Sequence, residues 1–325
     1  MEQKSNNWKK ISVVVMAYNR DSYLEQALTS LVKQTLEREF FEVIVIKNFS
    51  TERIEKMISD QKFRTIIIER PLSAPEMLSI AIKEARNDII SFLEDDDLFE
   101  PDKLKRVFDL FNSDYDLVFH RNSVKIFFTG NGNYSKTRTG NHCLETPIKM
   151  KGPNYSKELA YYSAAFSLSS MSILKSIIDI DRFENLLTNQ DMFILFNALV
   201  TKRTILLDSM VLTRSRVHDT NVSVNLDKEA WTKFICKYGE TYYQIRDMIK
   251  GNNETEKLLK IYMAYALLEL HTIRKEISQI FFHDFPIIFF YWLPFALAYD
   301  PARIAYAFLD ISKLINRQFR LNPFR

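Results

Sequence analysis

Through the first 120 residues, short β-branched runs alternate with amphipathic stretches, a rhythm that a strand-helix repeat satisfies and few other arrangements do. A run over residues 11–17 precedes a helical pattern at 21–34, and 42–46 precedes 51–60. Residues 65–68 then lead into a helix over 74–86, announced by Ser73 with Glu76 three places on, the signature of a capping box. A strand at 88–93 follows, then a helix with Pro101 in its first turn running to about residue 112, then a strand at 117–120. Strands and helices alternating in this way predict an α/β fold with a mainly parallel central sheet flanked by helices.

Glycine narrows what such a sheet can bind. There are 6 glycines, and all of them fall at residue 130 or later. A Walker A loop or a GxGxxG turn needs glycine so that backbone can approach phosphate, so the N-terminal half builds neither. Any nucleotide bound there is held by other means. Lys plus Arg total 44 against 41 Asp plus Glu, a balance without the positive excess of a phosphate-backbone reader, so no nucleic-acid partner is expected. Cys143 and Cys236 are far apart and outside any CxxC spacing, which argues against a disulfide scaffold and a cysteine zinc site. The stretch 1–10 is polar and lacks the apolar core of a signal peptide, so a cytoplasmic location is expected.

Residues 130–155 are rich in Gly, Asn, Ser, Thr and Lys and read as a long functional loop. Order returns at 167–173, in a helix over 189–200, and in apolar runs at 204–207 and 210–212. These complete a first domain, 1–225. A helical extension, 226–325, follows, with Leu258, Leu259, Tyr262 and Met263 at helical spacing. Within it, 285–299 is aromatic and apolar but shorter than the roughly 20 residues of a spanning helix. Arg303, Lys313, Arg317 and Arg320 then line one side of an amphipathic helix. Two readings stand: peripheral docking on an anionic membrane surface, or packing against the first domain or a second copy in a homo-oligomer.

In an open parallel sheet, ligands bind beyond the carboxyl ends of the strands. There the first strand ends in Ala17-Tyr18-Asn19-Arg20, the second in Lys47-Asn48-Phe49-Ser50, and the fourth in Glu94-Asp95-Asp96-Asp97. Four consecutive acids repel one another, and oxygen-only ligands suit magnesium or manganese. The alternative is an acidic turn capping the next helix, the role open to Asp97 and Glu100.

Three stretches, Ile11-Ser-Val-Val-Val-Met-Ala-Tyr-Asn-Arg20, Phe92-Leu-Glu-Asp-Asp-Asp-Leu-Phe-Glu-Pro-Asp-Lys-Leu104 and Arg216-Val-His-Asp-Thr-Asn-Val-Ser223, resemble family-2 glycosyltransferases of the GT-A fold. The resemblance covers roughly residues 9–225 and is most specific at 92–104. It implies transfer of a sugar from a nucleotide-sugar, a UDP-sugar first and a GDP-sugar second, to a glycan or lipid-linked acceptor, dependent on a divalent cation, Mn or Mg. Asp95 and Asp96 match the family's DxD motif, with Asp96 as metal ligand. Asp191, in Gln190-Asp191, falls where inverting members carry the general base; a plain helix N-terminal charge is the alternative. His218 corresponds to the histidine near diphosphate or metal, Arg216 to a phosphate contact, and Tyr18 to the aromatic against the base. Asn19 and Arg20 fall within the same donor-binding segment.

Two positions depart from the pattern. Lys47-Asn48-Phe49-Ser50 replaces Asp-Asp-Gly-Ser, leaving Asn48 to meet a base edge and Lys47 to approach phosphate or face solvent. Glu94 stands where many relatives have the first Asp of DxD. These changes leave open a catalytically silent binding relative. A sugar nucleotidyltransferase ranks last, because its glycine-rich loop is missing.

Overall fold

The computed structural model describes residues 8–18, 20–129, 143–151, 158–159, 164–165, 167–218 and 228–262. The chain divides into two compact units, one of Met1–Asn154 with Tyr162–Val224 and one of Tyr155–Tyr161 with Asn225–Arg325.

The first unit is built on one mixed sheet. Strands β1 (Ile11–Ala17), β2 (Phe41–Lys47), β3 (Arg64–Ile67) and β4 (Ile89–Glu94) lie parallel in the order β3-β2-β1-β4. Successive residues Val13, Val14 and Val15 of β1 are all buried, as expected of a strand covered on both faces. Helix α1 (Asp21–Val32) buries Leu24, Ala27, Leu28 and Leu31, one stripe at three- and four-residue spacing. Helix α2 (Glu52–Asp60) buries Ile54 and Ile58. Helix α3 (Ala74–Glu84) opens on the expected capping box: the Glu76 N–H donates to Ser73 Oγ at 3.3 Å and the Ser73 N–H to Glu76 Oε2 at 2.8 Å.

Beyond β4 the sheet departs from the parallel expectation. β8 (Met171–Leu174) runs antiparallel to both β4 and β6 (Leu117–Phe128). β6 pairs parallel with β9 (Thr204–Val217), whose other partners, β5 (Leu98–Phe99) and β7 (Ile148–Lys151), are antiparallel. The physical reason is connectivity. Helix α4 (Lys103–Ser113) carries the chain across to β6, whereas β8 enters from the opposite end and is short enough to bridge the two halves.

Other expectations need correction here. The strand expected at 117–120 continues to Phe128, because the polar residues Arg121, Asn122 and Ser123 are buried in the ladder rather than ending it. The runs at 204–207 and 210–212 are one strand, interrupted by a register shift opposite Asn122 and Ser123, where Asp208 Oδ1 accepts the Met210 N–H at 3.2 Å. The loop expected over 130–155 contains β7, and residues 130–142 and 152–157 lie outside the described residues.

In the second unit a helix, Lys228–Ile249, is followed by another over 253–262. Gly251, at φ 88°, takes the left-handed turn between them, and Asn252 Oδ1 receives the Thr255 N–H at 3.2 Å. Leu258 and Leu259 are buried, as their spacing implies. The aromatic run at 285–299 and the basic stretch from Arg303 lie outside the described residues. Among those described, no helix is long and apolar enough to cross a membrane.

Candidate active site

The register brings the ends of three strands together. Ala17 lies beside Lys47 across β1 and β2, and Met16 beside Glu94 across β1 and β4, so Tyr18, Asn48 and Asp95 emerge at one edge. The Asp95 N–H extends that pairing by one more bond, to Met16 O at 3.1 Å. After the acidic turn, β5 pairs with β9, and β9 delivers Arg216 and His218 to the same edge.

Arg20, the N-cap residue of α1, reaches over the acids. Its Nη2 lies 2.5 Å from Asp95 Oδ1, its Nη1 donates to Asp96 Oδ2 at 3.0 Å, and the same Nη1 lies 3.3 Å from His218 Nε2. His218 Nε2 and Asp96 Oδ2 are 3.0 Å apart, although 122 residues separate them in sequence. The Tyr18 N–H also donates to Asp95, at 3.2 Å, while its side chain is 40% exposed at the crevice rather than tucked into the core edge. Asn19 lies outside the described residues.

Arg216 does not face the crevice. Its guanidinium donates from Nε to the Asp96 carbonyl at 2.9 Å and from Nη2 to Gln26 at 2.8 Å, and lies over the rings of Tyr23 and Phe127. Its N–H donates to Asp97 Oδ1 at 3.0 Å. Bonded to the backbone of the turn and to Gln26, it positions the acids. Asp97 is held by that N–H and by Ser167, and Glu100 pairs with Arg214, so neither carboxylate caps α4.

Lys47 corrects another expectation. It is fully buried, donates to the Phe49 carbonyl at 2.9 Å and pairs with Glu55, whose carboxylate also accepts the Ser50 hydroxyl at 2.8 Å. It therefore neither approaches phosphate nor faces solvent; it ties the loop carrying half-buried Asn48 onto α2.

Burial dominates the electrostatics of the acids. It pushes Asp95 up to about 7, against the pull of Arg20, and Asp97 up to about 6, with the Asp96 charge adding to the shift. Glu94 is raised well above the carboxylate range by burial and then by Asp97, Asp96, Asp191 and Asp95. Asp191 lies in the first turn of the helix Gln190–Val200, where Oδ1 accepts the Met192 N–H at 2.8 Å. Burial raises it to about 6 although backbone N–H groups favour its ionised form.

Sequence reasoning missed Lys103. Its fully buried ammonium donates to Asn122 Oδ1 at 2.7 Å, Ser169 O at 2.6 Å and Thr213 Oγ1 at 3.1 Å. Ser169 Oγ in turn receives the Glu94 N–H at 3.0 Å, so Lys103 underpins the acidic turn. A cation in the first turn of a helix works against the dipole, and that mismatch was the available signal.

The donors suit a divalent cation. Asp96 Oδ2 and His218 Nε2, in direct contact at 3.0 Å, are an oxygen and a nitrogen of the kinds that ligate Mn or Mg. Among the described residues no group of three or more His, Cys, Asp or Glu is arranged around a metal position, so phosphate and water oxygens would complete the shell.

An acidic turn at the carboxyl ends of the parallel strands, with a histidine beside it, sits in a mixed α/β sheet of the GT-A type. The chain belongs to glycosyl transferase family 2, whose sequence model matches residues 12–178. It is 23% identical over 232 residues to an uncharacterized glycosyltransferase of Haemophilus influenzae, covering 70% of this chain and 87% of that protein. The succinoglycan biosynthesis protein ExoW of Rhizobium meliloti is 23% identical over 283 residues, 82% of this chain and 86% of its own. The poly(ribitol-phosphate) beta-N-acetylglucosaminyltransferase TarS of Staphylococcus aureus is 30% identical over 101 residues, 30% of this chain but 18% of TarS. The crystal structure of TarS residues 1–349 superposes with a TM-score of 0.60 at 16% identity, covering 90% of this chain and 81% of that one. The chain is a glycosyltransferase.

Proposed function

We propose that the enzyme transfers a sugar from a UDP-sugar to a hydroxyl of a glycan or lipid-linked glycan acceptor, with inversion and with a divalent cation at the donor diphosphate. The observation that carries this reading is the meeting of Asp96 and His218 at 3.0 Å at the carboxyl edge of the sheet, with the charge of Asp191 acting on Glu94 of the same acidic turn. TarS has been solved with UDP and with UDP-GlcNAc, which supports UDP as the carrier, and the names of TarS and ExoW support a surface glycan as the acceptor.

In the reaction, Asp191 takes the proton of the acceptor hydroxyl. The acceptor oxygen bonds to the anomeric carbon as the bond from that carbon to the diphosphate oxygen breaks, its electron pair leaving on the diphosphate. Asp96 and His218 would hold Mn or Mg, which supplies charge neutralisation to the diphosphate. Tyr18 lies against the base, and Asn48 meets its edge with a donor and an acceptor. Glu94 is pushed toward its neutral form, whereas Asp191, raised to about 6, is ionised at neutral pH and can take a proton. The basic stretch from Arg303 supports docking on the cytoplasmic membrane surface, where a lipid-linked acceptor would be presented.

Calorimetric titration with UDP and GDP, with and without Mn2+, tests the donor site. The expected result is Mn2+-dependent UDP binding that Asp96→Ala abolishes. UDP-sugar binding without transfer to any of a broad acceptor panel would restore the reading of a silent binding relative.

A further inference from the structure

Arg20 occupies an unusual place for a side chain in a cation-binding site. One of its nitrogens, Nη1, touches the same two atoms, Asp96 Oδ2 and His218 Nε2, that suit a divalent ion, at 3.0 and 3.3 Å. The other, Nη2, is held at 2.5 Å by Asp95, whose carboxylate is buried. A guanidinium and a divalent ion repel strongly at that separation, so both do not rest on Asp96 and His218 at once.

The local structure lets Arg20 leave. It stands between β1 and α1, its side chain makes no capping bond to the helix, and that side chain is 28% exposed. Rotating it disturbs neither element. Arg216, the other guanidinium near the acids, is locked between two rings and bonded to the backbone of Asp96, and has no such freedom.

We propose that Arg20 is a displaceable internal cation: it neutralises Asp95 and Asp96 in the donor-free enzyme and yields Asp96 and His218 to the divalent ion when the diphosphate offers it a new anionic partner. This rests on the donor-site reading above and deepens it. Arg20 then binds phosphate oxygens, which a planar fork of donors suits. The consequence is that metal and nucleotide bind cooperatively. Neither alone compensates for removing Arg20 from the acids, whereas together they do, and the coupling is reciprocal.

The test is Mn2+ titration of the full chain, read by the electron paramagnetic resonance signal of free Mn2+, with and without UDP. Wild type is expected to bind Mn2+ weakly alone and at least tenfold more tightly with UDP. Arg20→Gln is expected to bind Mn2+ at least tenfold more tightly than wild type without UDP, and to gain less than wild type does from adding it, since only the diphosphate's own ligation of the ion remains. Arg20→Lys keeps the charge but cannot span Asp95 and Asp96 together, so it falls between the two and serves on its own should the glutamine variant not fold. Mn2+ binding by wild type with UDP, combined with no gain in the bare affinity of either variant, overturns the role of Arg20 and leaves the cation reading standing. No Mn2+ binding by wild type with or without UDP removes the cation reading and this inference together.

Discussion

Lys103→Met removes one buried ammonium and keeps a side chain of similar length. Three acceptors depend on that ammonium: Asn122 Oδ1, Ser169 O and Thr213 Oγ1. Thr213 partly covers the loss, since its hydroxyl lies 3.1 Å from Ser169 O and 3.4 Å from Asn122 Oδ1. It has one proton, however, so one of the two oxygens is left without a donor, at about 1–3 kcal/mol. The lost charge-assisted bonds add about 1.5–3 kcal/mol each, while release from desolvating the ammonium returns several kcal/mol. Burial pushes Lys103 well below its ordinary pKa, with Asp97 opposing, the direction expected of a desolvated ammonium. The expected net loss is about 2–4 kcal/mol, measured by urea unfolding at pH 7. A double-mutant cycle with Thr213→Val is expected to show coupling above about 0.5 kcal/mol, because the two side chains share both acceptors. A loss below about 0.5 kcal/mol for Lys103→Met refutes the reasoning, for it would mean that the network carries no net stability.

Asp191→Asn is expected to keep Mn2+-dependent UDP binding and to lower kcat by about 100- to 10,000-fold, the range for a lost general base; equal turnover removes the assignment. For the same reason kcat/KM of wild type falls about tenfold per unit as pH drops below about 6, since the base must be ionised. Stability runs the other way. Asp95, Asp97 and Asp191 are raised in the folded state, so between about 4 and 7 the native chain holds more protons than the unfolded chain and stability falls as pH rises. Calorimetric Tm in metal-free buffer should therefore be lower at pH 7 than at pH 5, and an upward trend contradicts the burial argument. Lys47→Met frees the loop bearing Asn48, so the KM for UDP-sugar should rise several-fold with kcat retained; an unchanged KM separates that loop from the base.

Much of the parallel half of the molecule follows from local rules. The expected first strand matches β1 end for end, and the Ser73 and Glu76 box opens α3, because side-chain alternation and capping act over a few residues. The acidic run was legible for a related reason, since charge at a strand end needs only neighbouring sequence to be seen, whereas Asp96 and His218 became candidates through the resemblance to family-2 glycosyltransferases. The fate of each polar side chain was not legible. Lys47 read as approaching phosphate or facing solvent and Arg216 as a phosphate contact, yet one closes a loop onto Glu55 and the other is stacked between Tyr23 and Phe127. A long cationic side chain reaches partners within a wide radius, and which one it meets depends on what packs beside it.

What the sequence by itself determined is therefore the first four strands, the four helices α1 to α4 and the chemistry offered at the carboxyl ends of those strands. Tertiary structure alone decided that β6 and β9 run as long paired strands, that β7 joins them, and that Lys103 braces the acidic turn from below. It also decided that Arg20, Asp96 and His218 share one point in space. Periodicity and capping are properties of adjacent residues, whereas a contact across 122 positions is fixed by strand order and register, which form only when the whole sheet does.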